Sequence, residues 1–190
     1  MKIVSIVLAL VQLFCCAESY GQQKQATAKG WNFRSINTAG WLDGQSGAAL
    51  QVLTINGLQH NTWFWGIGTG VDGYRLRSIP VFADVRKTIV GKVFVYADAG
   101  LNWHWQKNGE VKQFYADDKF KAGLYGEAGA GYALKLRGGV RLLLSGGYRL
   151  KKITETGNEF YDPGFPNTTP SSSKINYTLN SVVIKVGVSF

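Results

Sequence analysis

An all-β fold is predicted, with eight antiparallel strands running up and down and closing into a barrel that crosses a bilayer. Three observations predict it. From Val182 onward every second residue (Val182, Ile184, Val186, Val188, Phe190) is bulky and apolar, while those between (Val183, Lys185, Gly187, Ser189) are mostly small or polar; this is a strand with one oily face. Seven further segments of about ten residues, the length a tilted strand needs to cross a bilayer, precede it. No stretch after residue 21 is apolar for long enough to cross as a helix, so strands must do the spanning.

The 190-residue chain is enough for one domain. Met1-Lys2 followed by the apolar run Ile3 to Ala17, with small Ser19 and Gly21 beyond, reads as a secretory signal peptide over residues 1–21, leaving 22–190 as the barrel domain. Cys15 and Cys16 both fall inside that peptide. An exported chain would then carry neither a disulfide framework nor a thiolate metal site. The net charge of +9 survives removal of Lys2 and Glu18. In an exported chain without long basic runs, such a surplus favours an anionic membrane face over nucleic acid.

Residues 22–29 are a polar lead-in, and strand one is read from Trp31 to Trp41, although it alternates poorly. Strand two, Ala48 to Asn56, faces Ala48, Leu50 and Val52 one way, but Leu53 and Ile55 blur the pattern, and Asn56-Gly57 is read as a turn. Strand three sets Trp63, Trp65, Ile67 and Val71 against Phe64, Gly66, Gly68, Gly70 and Asp72. Strand four sets Ile79, Val81, Ala83 and Val85 against Phe82, Asp84 and Arg86, with Pro80 tolerable near a strand end. In strand five Val93, Val95, Ala97, Ala99, Leu101, Trp103 and Trp105 oppose Tyr96, Asp98, Asn102 and His104. Strand six places Ala122, Leu124, Ala128, Ala130, Tyr132 and Leu134 opposite Tyr125, Glu127 and glycines. Strand seven places Val140, Leu142, Leu144, Tyr148 and Leu150 opposite Arg141, Ser145 and Arg149. Short turns are expected at 57–61, 88–92 and 135–139, and long polar loops at 106–119 and 153–174. Short turns on one side and long loops on the other suit a membrane barrel.

Taken together, the signal peptide, the eight alternating strands, glycine-aromatic runs such as Trp63-Phe64-Trp65-Gly66-Ile67-Gly68 and the terminal Phe190 resemble the small outer-membrane β-barrel proteins typified by OmpX and the OmpA membrane domain. The resemblance implies a location in the bacterial outer membrane, integral and reached by export. It implies Phe190 as part of a C-terminal insertion signal read by the barrel-insertion machinery. It also implies contact with outer-membrane lipid and lipopolysaccharide, and it allows another envelope protein as partner. That fold group contains structural, adhesive and lipid A-modifying members, so resemblance alone selects no activity.

The inward faces gather Asp72, Asp84, Arg86, Asp98, Glu127, Arg141, Arg149 and Lys185. An eight-stranded barrel is just wide enough for side chains to fill, and buried charges persist only when paired. These residues are therefore expected to form a mutually neutralising lumen network. Trp63, Trp65, Trp103, Trp105, Tyr132 and Tyr148 are expected as interfacial aromatic belts. Gly68-Thr69-Gly70-Val71-Asp72-Gly73 spells a dinucleotide-binding glycine pattern, but the helix that would receive a pyrophosphate is missing. His60 and His104 lie far apart, and no cofactor or metal is expected. The function expected is that of a non-enzymatic structural or partner-binding barrel acting through its long loops. The alternatives are a lipid A-modifying enzyme using His104, which has no Ser at short spacing, and a small-solute channel.

Overall fold

The computed structural model describes residues 30–104, 119–158 and 172–190. The expected signal peptide, Trp105 and most of the two long loops lie outside these residues. The strands are β1 (Trp31–Gly44), β2 (Gly47–His60), β3 (Trp63–Asp72), β4 (Ser78–Val90), β5 (Val93–His104), the short β6 (Lys119–Lys121), β7 (Gly123–Lys135), β8 (Arg141–Asn158) and β9 (Ser172–Ser189). Each pairs antiparallel with its neighbours, and β9 pairs with both β8 and β1. The sheet is thereby closed into a barrel of eight staves, with β6 and β7 sharing the sixth. Between the pairs Lys121↔Thr154 and Tyr125↔Lys151 this stave holds one more residue than β8 does, which is a β-bulge. Gly123 sits at that bulge with the Lys152 carbonyl where a Cβ would be.

Three connections are two-residue hairpins: Gln45-Ser46, Asn61-Thr62 and Gly91-Lys92. Asn61 and Gly91 supply the positive φ angles that tight hairpins require. The β7–β8 connection is a single 3₁₀ turn at Arg137–Gly139. The short turns of β2–β3, β4–β5 and β7–β8 share one rim.

Outward positions are apolar around the whole circumference: Leu50, Ile67, Val81, Val95, Leu124, Leu144 and Ile184 are all exposed. A water-soluble monomer rarely leaves so continuous an apolar surface, whereas a hydrocarbon solvent favours it. The inward side chains form two apolar clusters separated by charge. One, with Ile36, Leu53, Ile55, Phe64, Phe82, Phe94 and Leu143, fills the half nearer the short turns. The other, with Leu42, Tyr74, Leu76, Ile153, Leu179 and Val183, closes the opposite end.

These clusters explain where the alternation was blurred. Strands β1 and β2 carry Ile36, Leu42, Leu53 and Ile55 inward, so both of their faces are apolar at those positions. Asn56-Gly57 is not a turn. Strand β2 continues to His60, and Gly57 pairs with Gly66 while the Trp65 carbonyl and the Phe64 ring occupy the space of a Cβ. The glycine permits close approach of two strands. Likewise β8 and β9 begin their departure later than expected, remaining paired out to Asn158↔Ser172, so residues 153–158 and 172–174 are strand. The pattern Gly68 to Gly73 lies in β3 and just beyond it and leads into β4, with the Phe82 ring against Gly68.

Substituting Gly57→Val is expected to destabilise the barrel by about 1–3 kcal/mol through overpacking. Urea titration in phospholipid vesicles checks this, and a wild-type midpoint would show that the close approach carries no cost.

Candidate functional site

Among the described residues polar chemistry is concentrated in the lumen, which is built in three levels. At the end opposite the short turns, residues 73–77 between β3 and β4 fold into the mouth. The in–out period of β3 continues through them, so Tyr74 and Leu76 point inward in phase with Asp72 and Ser78 and are buried, while Arg75 and Arg77 remain exposed. Asp72 Oδ1 accepts the Tyr74 N–H at 2.8 Å, a local turn of the Asx kind. The Tyr74 hydroxyl donates to the Asn180 carbonyl at 3.1 Å and accepts the Ser46 N–H at 3.0 Å. Beneath the loop, the Lys151 ammonium donates to the carbonyls of Tyr74 (3.1 Å) and Leu76 (2.9 Å), to Ser78 Oγ (2.8 Å) and to Asp72 Oδ2 (3.2 Å). One buried cation thus holds the plug from below.

At mid-height Asp84, Asp98, Glu127, Arg149 and Ser181 lie opposite one another in successive registers of β4, β5, β7, β8 and β9. Three carboxylates side by side in a narrow lumen require cations. Arg86, two residues from Asp84 on the same face, grips it with Nε (3.0 Å) and Nη2 (2.8 Å). Glu127 is ion-paired with Lys185 and accepts the Tyr96 hydroxyl at 2.8 Å and the Tyr125 hydroxyl at 3.0 Å. Asp98 has the Lys185 ammonium at 3.9 Å. Arg149 reaches Asp72 at 2.9 Å, donates to Ser181 Oγ at 3.2 Å and lies over the Tyr74 ring at 5.0 Å. Among the described residues the buried charges are four acids (Asp72, Asp84, Asp98, Glu127) and four bases (Arg86, Arg149, Lys151, Lys185).

At the short-turn end the lumen opens into a cavity of about 50 Å³ lined by Arg34, Gln59, Thr62, Arg86, Thr88, Arg141 and Ser189 above an apolar floor. Arg141 is placed here, half-buried, rather than within the mid-lumen network to which the sequence reading assigned it. Its position in that network is taken by Lys151, which lies in phase with Arg149 one residue past the expected end of strand seven.

The comparisons with known proteins bear on this architecture. No protein-family description matches the sequence, and no curated protein does. Among solved structures the fold is similar to the outer membrane protein OprG from Pseudomonas aeruginosa, with a TM-score of 0.50 at 14% identity over 85% of this chain and 97% of that one. This chain has the fold of a small outer-membrane β-barrel. The outer membrane protein AlkL in lipid bilayers aligns with a TM-score of 0.49 at 12% identity, over 90% of this chain and 94% of its own.

On the outside of the barrel, Trp63, Trp65 and Tyr132 flank the short turns, Trp103 stands near the other end of β5 and Tyr148 lies on β8; all five are exposed. Trp31 and Phe33 join the short-turn set, and Trp31 stacks on His60 at 4.9 Å. Phe190 is exposed beside them, its backbone exchanging both hydrogen bonds with Ser35. His104 faces inward, in register across from Ser78 on β4, a hydroxyl neighbour that spacing along the chain could not reveal.

Replacing Lys151 by Met leaves Asp72 short of a partner and the Leu76 carbonyl without its ammonium donor, while the Tyr74 carbonyl keeps only the Leu76 N–H. It is expected to destabilise the barrel by about 3–5 kcal/mol and to speed hydrogen exchange at the Tyr74 amide. Unchanged exchange at Tyr74 would mean that the plug is held by other contacts.

Proposed function

We propose that this chain is an integral protein of the bacterial outer membrane, a non-enzymatic barrel with a closed lumen that serves a structural or partner-binding role on its outer side. The observation that carries the reading is the filled interior. Arg149, Tyr74, Phe82 and Lys151 are fully buried across the lumen, and the mouth opposite the short turns is stoppered by 73–77. A side-chain plug whose charges are paired offers ions no row of vacant sites.

The site chemistry also argues against catalysis. Ser78 and Lys151 stand as a hydroxyl beside an amine, the arrangement a Ser–Lys nucleophile would need. Here the amine is also hydrogen-bonded to the carbonyls of Tyr74 and Leu76 and to the Asp72 carboxylate, so its contact with Ser78 is one of four ties that hold the plug. Both side chains are 0% exposed. His104 faces the same end, in register across from Ser78.

The partner-binding part rests on β8 and β9. Their pairing runs to Asn158↔Ser172, well past Gly44↔Ser181 where β1 leaves β9. Strands of 18 residues exceed what a bilayer crossing requires, about 9–11 residues. The backbone of this hairpin therefore extends beyond the point where β1 leaves β9.

In planar bilayers the purified protein is expected to show no steady conductance, and reproducible single-channel steps would overturn the closed-lumen reading. Deleting residues 107–118 and 159–171 together is expected to leave the barrel inserted while abolishing recovery of envelope partners. Undiminished recovery would move the interaction elsewhere.

A further inference from the structure

The short-turn mouth differs in charge from the rest of the lumen. Its lining contains Arg34, Arg86 and Arg141 around a cavity of about 50 Å³. Only Arg86 has a carboxylate: its Nε and Nη2 are committed to Asp84. Arg34 donates from Nη1 to Ser189 Oγ at 3.3 Å, and its buried Nε has no partner. Arg141 sits opposite Ser189 in the β8–β9 register, so the two arginines flank one serine. Neither forms an ion pair with a carboxylate among the described residues. The surrounding rim reinforces the imbalance. Lys87 lies 4.8 Å over the Trp63 ring, Lys92 lies 5.9 Å over the Tyr132 ring, and Lys135 is exposed. The segments that build this end, 31–37, 56–66, 85–95, 130–144 and 186–190, contain no Asp or Glu.

Two guanidinium groups facing one small cavity with no Asp or Glu paired to either repel each other, and an anion between them relieves the repulsion. Guanidinium forks match the oxygens of phosphate, and the contact is charge-assisted. The volume exceeds the roughly 10–15 Å³ that one water needs, which leaves room for a tetrahedral oxyanion but not for an acyl chain. Gln59, Thr62, Thr88 and Ser189 add neutral hydrogen-bonding groups to the lining.

We propose that the short-turn mouth is a phosphate-class oxyanion site, with Arg34 and Arg141 as the binding residues and the Asp84-bound Arg86 as a fixed cationic wall behind them. The oxyanion belongs either to the headgroup of a phospholipid in the adjoining leaflet or to a soluble phosphate. The surrounding Lys87 and Lys92, seated on belt aromatics, draw either one toward the mouth.

The test uses the whole exported chain, folded in a phosphate-free maltoside detergent and titrated separately with inorganic phosphate and with dihexanoyl phosphatidylglycerol. Binding is followed by ³¹P NMR line broadening and by the thermal midpoint at constant ionic strength. Wild type is expected to broaden the signal and gain thermal stability with at least one of the two, and Arg34→Gln/Arg141→Gln is expected to weaken binding at least tenfold. Lys152→Gln, an exposed lysine towards the opposite end of β8, should bind like wild type. Response to inorganic phosphate alone assigns a soluble ligand, and response to the lipid alone assigns a headgroup. Should the double variant fail to fold, the wild-type titrations and the single Arg141→Gln variant decide the question. No response from wild type to either ligand, or equal binding by wild type and a folded arginine variant, would overturn the proposal.

Discussion

A narrow closed cylinder must bury whatever its strands turn inward, and here that includes eight charged side chains. Burying one unpaired ion costs several kcal/mol, so the lumen relies on acids and bases in equal number, with Asp72, Asp84 and Glu127 in direct contact with cations and Asp98 3.9 Å from Lys185. The carboxylates of Asp84, Asp98 and Glu127 fall side by side because antiparallel registers place them so, and the sequence answers with Arg86, Arg149 and Lys185 in the adjoining positions. Register and electrostatics are thus one constraint. Slipping any of these strands by a single residue would turn its charge into hydrocarbon and strand its partner inside.

The same constraint explains the plug. The β3–β4 connection keeps the two-residue period of the strands on either side, so Tyr74 and Leu76 enter the mouth as extra core residues. Their carbonyls have no ladder partner, and Lys151 supplies one. Its charge is balanced by Asp72, which also holds the Tyr74 amide. A barrel of eight staves has no spare volume to hydrate such groups, and a single ammonium with four acceptors answers the need. A surplus of positive charge lies at the short-turn mouth, where water and headgroups are near.

The outer wall and most of the fold were legible in the sequence wherever the two faces of a strand differ chemically. Strands β3, β4, β5 and β9 alternate cleanly because they set Ile, Val, Trp or Leu against Gly, Asp, Arg or Tyr. Strands β1 and β2 were poorly legible because Ile36, Leu42, Leu53 and Ile55 are apolar residues turned inward, and periodicity cannot distinguish an apolar lumen from lipid. The dipeptide Asn56-Gly57 carries a turn signature, yet the missing side chain of Gly57 is used for strand approach. The plug and Lys151 went unread for a related reason. Nothing in the composition of 73–77 sets it apart from an ordinary connection, although Tyr74 and Leu76 keep phase with Asp72 and Ser78, and Lys151 lies one residue beyond Leu150, the last residue read into strand seven.

The claim beneath these points is that the lumen is a packed core held by mutual neutralisation rather than a water-filled passage. It is tested most directly by a double-mutant cycle between Lys185 and Glu127, using Lys185→Met, Glu127→Gln and the pair, with unfolding free energies measured in phospholipid vesicles. Contact between the two buried charges predicts a coupling energy of about 1–3 kcal/mol, the double variant being less damaged than the sum of the singles. A coupling indistinguishable from zero would mean that water screens the pair, and it would contradict the closed, neutralised interior on which the account rests.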